Sequence, residues 1–189
     1  KPLTMVFALI FVAYRAISTG AIGRFDALLM AALVFSLCGD VFLMLPGNYF
    51  IPGLASFLVA HVFYIALFRQ GQRWFASQTG LASVLVAGAV MYVVVFPGLS
   101  DPVLRIAVAA YVTVIALMAA QAIGRAATLG DAPSRFVALG ACVFMVSDSL
   151  IAIDRFVSPV PMAALWVLLT YYCAQMLMVH HARPAVPHR

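Results

Sequence analysis

An all-α bundle of about seven membrane spans is what this sequence predicts, on three observations. Hydrophobic residues make up 66% of the chain and charged residues 9%, where a soluble domain carries roughly a quarter charged and about half apolar. The apolar residues gather into seven stretches close to the ~20 residues that a bilayer core demands. All six acids are aspartates, Asp26, Asp40, Asp101, Asp131, Asp148 and Asp154, so no glutamate is present to line wet helix faces.

The stretches are separated by helix-breaking residues. The first, 2–17, ends at Ser18-Thr19-Gly20, and the second, 26–45, at Pro46-Gly47-Asn48. The third, 52–68, stops before Arg69-Gln70-Gly71, and the fourth, 78–97, at Pro97-Gly98. The fifth, 103–122, precedes Thr128-Leu129-Gly130-Asp131-Ala132-Pro133; the sixth, 135–153, precedes Ser158-Pro159; the seventh is 160–181. Glycine and proline at these points end helices. Connections this short predict that consecutive helices are antiparallel neighbours, and residues 1–189 read as one integral membrane domain. Strands are excluded, because an open sheet edge cannot face lipid and no ten-residue alternation recurs.

The basic residues set the orientation. Arg15, Arg24, Arg69, Arg73, Arg125, Arg135, Arg183 and Arg189 fall on one side, and Lys1, Arg105 and Arg155 on the other. The positive-inside rule then puts the C-terminus in the cytoplasm. The net charge of +5 comes from arginines spread singly between apolar segments, which excludes a nucleic-acid patch. Cys38, Cys142 and Cys173 lie inside apolar segments without CxxC spacing and read as small buried hydrophobes.

Ionisable groups at membrane depth are costly and turn towards the bundle interior or a watered cavity. Asp40 stands between Phe35-Ser36-Leu37-Cys38-Gly39 and Val41-Phe42-Leu43, with Ser36 one turn earlier and a glycine beside it that admits a second helix. Asp148 has apolar neighbours on both sides, and Ser147 adjoins it; Asp154 and Arg155 follow where the helix meets the interface. His61 is central in Leu58-Val59-Ala60-His61-Val62-Phe63-Tyr64, and Tyr171 and Gln175 make a polar pair on the last helix. With helices alternating in direction, Asp40, Asp148, Asp154, Arg155 and Arg105 share the outer half. Asn48 lies just beyond Asp40, and His61 lies nearer mid-depth. Convergence at one depth predicts the rim and floor of a site rather than separate packing clamps.

Burial raises a carboxyl pKa, and a second carboxylate nearby raises one of the pair further. One protonated acid beside one ionised base suits general acid–base catalysis. No GxSxG, HExxH or Cys/His pairing competes, and one membrane histidine is too few for a zinc site. The same buried Asp and His residues are also compatible with a small proton-coupled transporter. The chain has no internal repeat of the kind many carriers show.

Four runs carry a family resemblance: Phe35-Ser36-Leu37-Cys38-Gly39-Asp40-Val41-Phe42-Leu43-Met44; Gly53 to Tyr64; Gly140 to Ile153 with Arg155-Phe156; and Thr170-Tyr171-Tyr172-Cys173-Ala174-Gln175. Together they resemble the YhhN family of membrane lysoplasmalogenases, in the right order and over essentially the whole chain. The resemblance implies eight helices in the full family member. Lys1-Pro2-Leu3-Thr4 looks like the entry to the second, which would return the N-terminus to the cytoplasm. It also implies a multi-pass enzyme of a bacterial inner membrane that hydrolyses the vinyl ether bond of a lysophospholipid to fatty aldehyde and glycerophospho-head group. The residues suggest how: Asp148 protonates the alkenyl β-carbon, and Asp40 stabilises the resulting cation and directs water. His61 and Tyr64 orient these groups. Lys1, Arg105 or Arg155 holds the phosphate. Asn48, Ser147, Asp154, Tyr171 and Gln175 complete the candidate binding residues, and no metal or organic cofactor is needed.

Overall fold

The computed structural model describes residues 2–18 and 23–184. Within them the chain forms α1 (Pro2–Ser18), α2 (Arg24–Met44), α3 (Phe50–Arg69) and α4 (Gln78–Val95). A 3-10 turn (Phe96–Gly98) leads into α5 (Pro102–Leu129), followed by α6 (Ala132–Phe156) and α7 (Ala163–His181). Six of these helical segments are long and apolar enough to cross a bilayer, and α1 is an apolar helix of 17 residues, at the lower limit for a span. Their ends follow local chemistry. Asp101 and Asp131 cap α5 and α6 by accepting from the backbone N–H of Val103 (2.9 Å) and Ser134 (2.8 Å), each with a proline in the first turn.

Helices α1, α2, α3, α5, α6 and α7 follow one another round a ring that closes where α1 meets α7, while α4 packs outside it on α5. Consecutive helices are therefore neighbours everywhere except at α3 and α4, both of which pack on α5. The reason is the polar end of α5, which runs seven residues past the predicted 122. Gln121 accepts from the backbone N–H of Phe75 (3.0 Å) and donates to the Arg73 carbonyl (3.0 Å). Arg125 donates to the carbonyls of Phe68 (3.4 Å), Gln70 (3.1 Å) and Arg183 (2.8 Å). The α3–α4 connection is thus drawn across the end of α5.

At the same arginine-rich end, Arg15 pairs with Asp26 (2.9 Å) and donates to the Ala182 carbonyl (3.0 Å). Arg15 and Arg125 so bring two guanidiniums to the carbonyls at and just past the end of α7, where a helix leaves acceptors unfilled. At the opposite, arginine-poor end, Asp154 accepts from the Val160 N–H (2.8 Å) and organises the α6–α7 turn. Met162 takes a positive φ of 56° there, and α7 begins at Ala163 rather than the predicted 160.

The candidate active site

Asp40 is fully buried on α2, one residue from Gly39. A Cβ at Gly39 would meet the Phe57 ring at 2.5 Å, so the glycine is what lets α3 lie against α2 at this depth. Across the ring, the Tyr171 hydroxyl of α7 donates to Asp40 Oδ2 at 2.9 Å. One turn along α7, the Tyr64 hydroxyl of α3 donates to Gln175 Oε1 at 2.8 Å. These contacts tie α2, α3 and α7 into a polar column, to which Ser36 and His61 also belong, both fully buried. Tyr171 and Gln175, expected to act as a pair, instead bond to residues on two different helices.

The second carboxyl is arranged alike. Asp148, half-buried on α6, accepts a hydrogen bond from the Tyr111 hydroxyl of α5. The two Tyr–Asp pairs are linked through a chain of ring contacts, Tyr111–His61–Phe144–Tyr171. An aromatic group fills the space between them. Phe144 sits 5.4 Å from the Tyr171 ring and 5.0 Å from His61, and His61 is 5.3 Å from Tyr111. Phe57 meets Phe144 and Tyr171 edge-on, each at 6.2 Å. Neither His61 nitrogen has a hydrogen-bond partner among the described residues, an expensive arrangement for a buried imidazole.

The two aspartates differ in what they face. A cavity of about 570 Å³, in the size range of small-molecule sites, is bounded by α3, α4, α5 and α6 with Leu43 of α2. Of the described residues lining it, Asp148 is the only acid; Tyr111 lines it too, and the rest are mainly apolar. Phe57 forms part of its wall, and Asp40 and His61 lie outside the lining. Four of the lining residues, Ser83, Ala87 and Val90 of α4 and Val146 of α6, are also exposed. The cavity therefore opens sideways, between α4 and α6.

At the arginine-poor end the walls converge. A Cβ at Gly98 would fall 2.0 Å from the Phe156 carbonyl oxygen, so only glycine lets the 3-10 turn rest on the end of α6. Arg155 lies over the Phe50 ring at 4.3 Å, and Phe50 and Phe156 both line the cavity. Arg105 donates to the Leu99 carbonyl (2.6 Å) and covers the Phe96 ring at 4.7 Å. The remaining expected residues stand apart. Ser147 donates to the Val167 carbonyl (3.2 Å) between α6 and α7, Asp154 holds its turn, and Asn48 is exposed in the α2–α3 turn. Lys1 lies outside the described residues. Cys142 lines the cavity and Cys173 is exposed, so neither is the plain core hydrophobe the sequence suggested. Sequence reasoning missed Tyr111 and the Phe57–Phe144 wall. A tyrosine in Ala109-Ala110-Tyr111-Val112 looks like any apolar span residue, and only the pairing of α5 with α6 reveals its partner.

The family model for the YhhN family matches residues 1–182. This chain belongs to the YhhN family. Within it, the chain is 36% identical over 154 residues to the lysoplasmalogenase TMEM86A of Bos taurus, covering 79% of this chain and 62% of that protein. It is 32% identical over 166 residues to the human lysoplasmalogenase TMEM86B, covering 87% and 68%. It is 31% identical over 163 residues to a lysoplasmalogenase of Mycobacterium bovis, covering 83% and 60%. The match thus spans under two thirds of the bovine and mycobacterial YhhN proteins. No solved structure matches the chain.

Proposed function

We propose that this YhhN protein hydrolyses the vinyl ether bond of a lysoplasmalogen. The observation that carries the reading is a carboxyl bonded to a tyrosine in the wall of an apolar cavity that opens onto the bilayer. The relatives named as lysoplasmalogenases support the substrate class.

In the mechanism, Asp148 in its acid form protonates the β-carbon of the alkenyl ether, and the C=C electron pair forms the new C–H bond. The α-carbon becomes an oxocarbenium ion. Water adds to it, its proton returns to a carboxylate, and a hemiacetal forms. Collapse of the hemiacetal breaks the C–O bond, releasing a fatty aldehyde and the glycerophospho-head group. One water is consumed and no net proton. Tyr111 orients the Asp148 carboxyl through its hydrogen bond. Asp40, held by Tyr171, stabilises positive charge from the far side of the aromatic wall. His61 packs between the two pairs and positions both. Arg155 and Arg105 at the arginine-poor end suit the lipid phosphate, and the excess of arginines at the other end puts that end in the cytoplasm.

The test is direct turnover. Purified protein in detergent receives a lyso-alkenyl phospholipid, and free aldehyde is followed by a coupled reductase. Aldehyde release that disappears in Asp148→Asn is expected; wild-type rates in both Asp148→Asn and Asp40→Asn would overturn the mechanism.

A further inference from the structure

We infer that substrate reaches Asp148 from within the bilayer, through the slot between α4 and α6. This rests on the hydrolase reading and adds the route.

The slot is a consequence of how α4 is held. The helix packs on α5 and touches α6 lightly, and the 3-10 turn that follows it rests on Phe156 through Gly98. The two walls therefore meet at the arginine-poor end and part below it. Where they part, Ala87 and Val90 on one side and Val146 on the other are both cavity wall and lipid-facing surface.

The chemistry along the slot orders its occupant. Arg155, over the cavity-lining ring of Phe50, marks the polar end and matches an anionic phosphate. Asp148 lies roughly 10 Å deeper along α6, and apolar wall continues to Cys142 for about 9 Å more, at 1.5 Å per residue. The order is anion, then reacting bond, then hydrocarbon. A volume of about 570 Å³ is that of a drug-sized ligand. Because the slot is open to lipid along its flank, a long tail can extend into the bilayer, and chain length should matter little.

The experiment uses the whole protein in lipid nanodiscs and a lyso-alkenyl phospholipid carrying a diazirine in its tail. After illumination, labelled peptides are mapped by mass spectrometry, with aldehyde release measured in parallel. Labelling is expected on α4 from Ser83 to Val90 and on α6 from Cys142 to Ser149. It should fall at least tenfold in Ala87→Trp and in Val146→Trp, with a raised KM, while Val93→Trp, on the lipid-facing side of α4 away from the slot, behaves as wild type. Labelling confined to other helices, or undiminished in both plugged variants, overturns the route. Slot labelling without aldehyde release keeps this inference and removes the hydrolase reading. Aldehyde release unchanged in both plugged variants does the reverse.

Discussion

At the scale of single residues, the candidate site consists of two carboxyls that each lean on a tyrosine from another helix. A hydrogen bond between neutral groups contributes about 0.5–1.5 kcal/mol. Tyr111→Phe, which loses the bond that orients the acid form of Asp148, should therefore lower kcat by about 2- to 10-fold at nearly unchanged KM, measured by aldehyde release, whereas Tyr64→Phe should act mainly on thermal stability. Gly39→Ala should be destabilising by about 1–3 kcal/mol, the usual effect of overpacking, because the new methyl group meets the Phe57 ring. A melting temperature unchanged by that substitution would show that the α2–α3 contact yields freely. Asp40 and Asp148 were legible in the sequence, because a carboxylate set deep in an apolar run is costly wherever it lies. Their tyrosines were not, since tyrosine passes for an ordinary span residue and its partner depends on which helices adjoin.

At the scale of elements, the boundaries were largely legible and the neighbours were not. Proline and glycine end helices by local rules that need no tertiary knowledge, so every predicted span has its helix. The order round the ring depended on Gln121 and Arg125, whose polar side chains extend α5 and pull the α3–α4 connection over its end; nothing local announces that. The cap of α6 offers a test at this scale. Hydrogen bonds from Ser134 hold the exposed Asp131 carboxyl below its ordinary pKa, with smaller help from Arg125 and Arg135. A lowered carboxyl pKa adds stability above the unfolded-state value, and that stability is lost as pH falls through the folded-state value. Asp131→Ala should cost about 0.5–2 kcal/mol near neutral pH, and Asp131→Asn should keep most of the cap while flattening the acid-side loss. Thermal unfolding in detergent between neutral and strongly acidic pH reads both.

For the whole molecule, composition alone was enough to identify a membrane bundle, since a chain with so few charges has no other solvent. Orientation is checked by single cysteines placed at Arg73 and at Ser100 and probed with an impermeant maleimide in intact cells; labelling at Ser100 and protection at Arg73 is the expected outcome. One structural feature reaches beyond chemistry. Six helices brace each other round a closed ring, but α4 is supported along one flank only, like a stave leaning on a finished barrel. The packing of the surrounding lipid presses on that stave directly. Tightening the bilayer should push α4 towards α6 and slow turnover, and loosening it should do the opposite, which the same aldehyde assay in nanodiscs of graded chain saturation would read. Single-chain lipids loosen bilayers. On this reading, the molecules to be removed also ease the way to their own removal.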